Sequence, residues 1–227
     1  MAEAGLTDGA RMYSEITVRL NALPDSKTAT VRALRREYSK RLRRAQPAVV
    51  LQLAQKLVNT GQSIQRFFAY EVIYFHKEAL ASLRGRDLQV LGRNLNSWGA
   101  VDAFAYYLSG PAWRERQVSD KLIERWAHSH DRWWRRVALV STVPLNSPAR
   151  GGSGDTRRTL KICAMLIHDR DEMVVKALSW ALRVLAKQHP KAVREFIRKH
   201  EAVLAARVRR EVRNKLKTGF KNPRRRV

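Results

Sequence analysis

The chain has 227 residues, with 45 Lys and Arg against 20 Asp and Glu, for a formal net charge of +25. So large an excess calls for a polyanionic partner, nucleic acid first and an anionic membrane surface second. Hydrophobic residues make up 44%, which excludes a purely disordered basic chain.

Helical periodicity runs through almost the whole sequence and no alternating strand pattern stands out. The spacing predicts helices near Ala29–Arg44, Pro47–Asn59, Ser63–His76, Arg86–Leu91, Ser97–Leu108, Trp113–His128, Asp131–Thr142, Thr156–Ile167, Glu172–Lys187, Lys191–Lys199 and Ala202–Lys217. Breakers separate them at Gln46-Pro47, Gly61, Gly85, Gly110-Pro111, Pro144, Pro190 and Gly219. The connections are short, so successive helices should be antiparallel pairs, and the expected fold is an all-α, HEAT-like repeat α-solenoid with a concave basic face. Asp131 and Asp171 each open a helix as candidate caps. Each is followed by a cation and a small–aliphatic pair, a weak repeat of about 35–45 residues. One domain is expected over 1–218, with a variant N-terminal segment at 1–27. A flexible, exposed loop is expected at 146–155, where the sequence reads NSPARGGSGD and contains Arg150. Residues 219–227 read as a basic tail adding non-specific phosphate attraction.

Cys163 is the single cysteine, so no disulfide framework exists, and it reads as a small core residue. No apolar run approaches a membrane-spanning length, and the first residues show no basic stretch followed by an apolar block. The expected location is cytoplasmic, with nucleoid association through DNA binding. The six histidines form no metal-ligand spacing, no Gly-rich phosphate loop follows a strand, and neither a metal nor a cofactor is expected.

Three clusters stand out against this background. In Glu172–Lys187 the residues Val174, Ala177, Leu178, Ala181, Leu182 and Leu185 form an apolar stripe, and Trp180 lies off it. Its helical neighbours are Lys176, Arg183 and Lys187, a frame suited to a polyanion surface. In Ser97-Trp98-Gly99-Ala100-Val101-Asp102, a cap at Ser97 would put Trp98 and Asp102 on one face, one turn apart. Taken alone, this pair reads equally as a packing indole beside a solvated acid. In Trp133-Trp134-Arg135-Arg136, the wheel turns Arg136 away from the face of Trp134, Val137, Ala138 and Ser141, where it can reach a phosphate or simply face solvent.

The order of these clusters resembles the AlkD family of DNA alkylation repair glycosylases, which are built of HEAT-like repeats. The residues are Trp98 with Val101-Asp102, then Trp133 with Arg136 and Ala138. Lys176-Ala177, Trp180, Leu182-Arg183, Ala186-Lys187 and Pro190 complete the order. The resemblance spans Ala29 to the last helix. It implies an enzyme that removes cationic N3- and N7-alkylated purines from duplex DNA without metal or cofactor and without extruding the base into a pocket. It places the catalytic acid at Asp102, the active-site indoles at Trp98 and Trp180, and a phosphate contact at Arg136. Lys176, Arg183 and Lys187 are the further candidate DNA-binding residues. The expected partner is alkylated duplex DNA, bound by a monomer with no membrane and no obligate protein partner. Two departures are visible. Gly99 stands where the family often has a bulkier residue, and no aromatic can be carried over from before Ala29, although Tyr13 and Tyr38 have the right residue type. The alternative is a non-catalytic solenoid that binds DNA or structured RNA. A scaffold for an acidic protein partner is a third reading. A carboxylate at Asp102 would be a handicap to a pure nucleic-acid binder, because it repels phosphates.

Overall fold

A computed structural model of the chain describes residues 2–223, with side chains from residue 10 onward. Of the expected basic tail, Arg224, Arg225 and Arg226 lie outside the described residues. All regular structure among the described residues is helical, with no strand. By its contacts the chain divides into two compact units, Met1–Asn94 and Leu95–Val227.

The first unit holds α1 (Ala2–Asn21), α2 (Thr28–Arg41), α3 (Pro47–Asn59), α4 (Ser63–Phe75), α5 (Lys77–Ser82) and α6 (Gly85–Leu91). Pro47 begins α3, where its missing N–H costs nothing, and Val50, Leu53, Ala54, Leu57 and Val58 bury the stripe that the spacing predicts. Helix α3 packs on α1 and α4, and α2 packs on α4, so α1, α2 and α3 each pack on their second neighbour or beyond. The α1 helix was not foreseen. Its sequence carries Gly5 and Gly9, poor helix formers. Tertiary contacts hold it instead. Ile16 and Leu20 are buried, Glu15 accepts from Arg41 and from Tyr38, and Arg19 pairs with Glu37.

The second unit holds α7 (Trp98–Phe104), a π-helical turn at Ala105–Ser109, α8 (Gly110–Arg114), α9 (Asp120–Ala127), α10 (Arg132–Val140), α11 (Val143–Asn146), a short 3₁₀ turn at Pro148–Arg150, α12 (Thr156–Met165), α13 (Glu172–Leu185), α14 (Pro190–Lys199) and α15 (Ala206–Thr218). One row runs α7, α10, α13, α15, each packed on the next. A second row contains α9 and α12, packed on each other and on α10 and α13 respectively, and α14 packs on α13 and α15. This pairing of one helix from each row, repeated, is that of a helical-repeat solenoid. The caps follow the sequence. Ser97 Oγ accepts from the Ala100 N–H at 3.4 Å, Asp131 from Trp133 at 2.8 Å and Asp171 from Met173 at 2.8 Å.

Two expectations change here. The single helix expected over Trp113–His128 is broken, because Arg116 takes a left-handed φ of 58° and the Trp113 indole N–H donates to Asp120 across the break at 2.8 Å. The loop at 146–155 is not a loose insertion. Asn146 is fully buried. Its amide donates to the Thr142 carbonyl and to Thr159 Oγ1, and its Oδ1 accepts from the Asp155 N–H. The Gly152 and Gly154 N–H groups donate to the carbonyls of Ser147 and Leu145. Gly152 is required for close approach, since a Cβ there would lie 2.2 Å from the Pro144 carbonyl oxygen. The glycines read from sequence as signs of mobility instead let the backbone pack against α11.

Candidate functional site

Helix α7 is short, and Ser97 starts it. Trp98 and Asp102 therefore share a face one turn apart, as the spacing predicts. Trp98 is 62% exposed, far more than any other tryptophan side chain in a core role would be. Asp102 is less open: its side chain is 19% exposed and that of Arg136 only 7%. Arg136 Nε donates to Asp102 Oδ1 at 2.9 Å and Nη2 to Oδ2 at 2.8 Å, a fork-to-fork pair from α10 to α7. Arg136 Nη1 donates onward to the Met173 carbonyl at the start of α13.

This placement corrects the sequence reading of Arg136. The residue does not stand out from α10 as a solvent-facing phosphate hook; it lies in the buried part of the helix beside Val137, Ala138, Leu139 and Val140 and grips Asp102. Burial pushes the Asp102 carboxyl above its usual range, and the two hydrogen bonds from Arg136 work against that rise. The result is a carboxyl group fixed in orientation, with both oxygens hydrogen-bonded to Arg136 and about a fifth of the side chain exposed.

The same face continues into the widened turn. Tyr106 follows Asp102 by four residues, and its ring stacks on Trp180 with centroids 6.5 Å apart and planes 27° apart. Trp180 lies half-buried, while Ala177, Leu178, Ala181 and Leu182 of α13 form the buried stripe, so its off-stripe position holds. The Arg150 guanidinium sits 4.2 Å from the Tyr106 ring centroid and 4.8 Å from that of Tyr107. The pinned loop thus delivers a cation to the aromatic wall of the site. The turn that carries both tyrosines is locked by Ser109 and Ser141, whose hydroxyls hydrogen-bond at 2.7 Å. Gly110 locks it further, since a Cβ there would lie 2.6 Å from Pro144 Cγ. Such π turns often mark sites where a helix must re-aim its side chains.

The other expected cations divide. Lys176 pairs with Glu172 at 2.9 Å. Arg183 turns inward, donating to Ser179 Oγ at 3.1 Å and lying 3.9 Å from the buried Glu211. Lys187 is exposed at the end of α13. Lys215 of α15 joins this group: burial depresses its pKa first, and the positive charges of Lys187 and Arg183 depress it further. The sequence reading missed Tyr106 and Lys215. Tyr106 was within reach of the Trp98–Asp102 spacing extended by one more turn; nothing in the sequence could pair Lys215 with α13. Cys163 is fully buried and its thiol is pushed up by burial, as a core residue. Among the described residues no group of three His, Cys, Asp or Glu side chains could hold a metal ion, and no helix is long and apolar enough to cross a membrane.

The second unit thus combines a helical-repeat array with a clamped acid beside an exposed indole and an aromatic wall that carries a cation. The model of the DNA alkylation repair enzyme family matches residues 26–216, and the chain belongs to that family. No curated protein and no solved structure matches it.

Proposed function

We propose that this protein is a DNA glycosylase that hydrolyses the N-glycosidic bond of cationic N3- and N7-alkylated purines in duplex DNA. The observation that carries the reading is the Asp102 carboxylate, held by two hydrogen bonds from Arg136 one helical turn from an exposed Trp98. An alkylated purine already bears positive charge. When its C1′–N bond breaks, the bonding pair leaves with the base, which becomes neutral, and the positive charge passes to the sugar. A fixed carboxylate stabilises that charge as it develops, and a water adds its oxygen to C1′ and loses a proton to Asp102 or to solvent. Arg136 prevents the acid from rotating and favours its ionised form. The exposed Trp98 ring offers a π face to the cationic base or sugar. No cofactor is required, because the leaving group is activated by its own charge.

With Arg136 committed to Asp102, the phosphate contacts fall to other cations. Arg150 on the Tyr106–Trp180 wall and the group of Lys187, just after α13, and Lys215 on α15 are the best placed. A non-catalytic nucleic-acid binder is favoured by one observation: Arg136 joins α7, α10 and α13 through Asp102 and the Met173 carbonyl, as a structural staple would. The deciding experiment is release of N3-methyladenine and N7-methylguanine from methylated duplex DNA by the purified protein in the presence of a chelator. Binding of that duplex without release of either base would leave only the binder.

A further inference from the structure

The first unit contains a cleft of about 340 Å³ at the C-terminal ends of α2 and α4, within the roughly 300–1,000 Å³ range of small-ligand sites. Its lining includes Phe75, His76 and Lys77 from the α4–α5 junction, and Ser39 and Arg43 from the end of α2. None of these residues takes part in the site around Asp102.

Two features of the lining need a ligand to make sense of them. His76 is 7% exposed. Its Nδ1 accepts the Ala79 N–H at 3.1 Å, which assigns the imidazole proton to Nε2. That Nε2–H is buried and finds no acceptor. Buried donors without partners are rare in folded proteins. Phe75 ends an otherwise well-buried helix, yet half of its surface is exposed. Its ring is held in place by the Arg35 guanidinium, 3.9 Å from the centroid, and Arg35 is itself tied to Glu71 and Ser39. Phe75 with its fixed ring, His76 with its unpartnered Nε2–H in the wall behind the surface, and two exposed cations, Arg43 and Lys77, therefore line one cavity. Glu78 is the acid among the lining residues, so the lining keeps a net positive charge.

We propose that this cleft binds a nucleotide. The base lies against Phe75 and presents a ring nitrogen or carbonyl to the His76 Nε2–H, and the phosphate is drawn to Arg43 and Lys77. An aliphatic anion would leave the ring without a partner, and a neutral aromatic would leave both cations without one. The inference stands independently of the glycosylase reading.

Calorimetric titration of the full chain with 2′-deoxyadenosine 5′-monophosphate, with inorganic phosphate and with a 5′-phosphorylated single-stranded oligonucleotide tests it. The mononucleotide should bind at least tenfold more tightly than phosphate. Phe75→Ala should weaken it about tenfold. His76→Asn should do the same, because Asn keeps the cap on α5 but removes the Nε2–H. Lys77→Glu, at an exposed position, should weaken the mononucleotide and phosphate alike. Tighter binding of the oligonucleotide than of the mononucleotide assigns the cleft to a strand terminus, and the reverse order assigns it to a free nucleotide. Mononucleotide binding no tighter than phosphate, or unchanged in Phe75→Ala, would overturn the proposal. Methylated-base release is unaffected by either outcome, so this inference and the glycosylase reading fail separately.

Discussion

Asp102→Asn replaces one oxygen of the clamped carboxylate with an amide group of nearly the same shape. Arg136 donates to both oxygens of Asp102. In the variant one of these bonds goes to an uncharged carbonyl oxygen, and at the other position two donors face each other. Hydrogen bonds to charged groups contribute about 1.5–3 kcal/mol, and removing one partner of a fully buried pair costs about 3–5 kcal/mol. Asp102 keeps 19% of its side chain exposed and Asn still accepts one bond, so the expected loss is about 2–3 kcal/mol. For a chain of this size that lowers Tm by roughly 4–12 °C. The chemical step should suffer separately, because the negative charge that meets the developing oxocarbenium is gone. Loss of one such electrostatic group lowers a rate by about 10²–10³. Single-turnover release of methylated base, measured at 25 °C with protein in excess, separates the two effects, and thermal melting reads the first. A variant that loses the stated Tm but releases base within about threefold of the wild-type rate would refute the catalytic role and leave the pair as a staple between helices.

Arg150→Gln should lower the salt dependence of binding to unmodified duplex by about 0.9 in log K per log salt, the signature of one phosphate contact. An unchanged slope in a fluorescence-anisotropy titration would remove Arg150 from the interface. Gly152→Ala must push a Cβ into the Pro144 carbonyl, 2.2 Å away. It should cost about 1–3 kcal/mol, and a Tm equal to wild type would mean that the loop is loose. Glu15 is held at about 2 by hydrogen bonds from Arg41 and Tyr38, below its ordinary 4.5. Its folded pKa is depressed, so its contribution is complete above about pH 4.5 and is lost as pH falls towards 2. Glu37, lowered by its bond to Arg19, acts in the same direction on the same helix. Acid melting followed by circular dichroism should therefore show Glu15→Gln less sensitive to pH between 4.5 and 2 than the wild type, and equal sensitivity would contradict the assignment.

From α2 onward, local chemistry set most of the helical character of this chain. Apolar spacing, the prolines at the starts of α3 and α14, and the capping side chains Ser97, Asp131 and Asp171 act within a turn or two, so their consequences can be read from neighbouring letters. The shared face of Trp98 and Asp102, and the position of Trp180 off its stripe, follow from the same short-range geometry. The partner of Arg136 does not. It lies 34 residues away, and a helical wheel shows which way a side chain leaves its helix but not which helix stands opposite. The wheel turned Arg136 towards a phosphate; packing put α7 there instead. The loop at 146–155 misled for a related reason. Glycine permits mobility and close approach equally, and only the neighbouring α11 backbone decides between them. Helix α1 was hidden because its own propensity is weak and its support comes from Arg41, Tyr38 and Glu37 on α2. Interactions along the chain thus determined most of the helical segments and which residues share a face. Contacts between segments distant in sequence, through desolvation and charge pairing, decided which charges face solvent and which hold the acid in place.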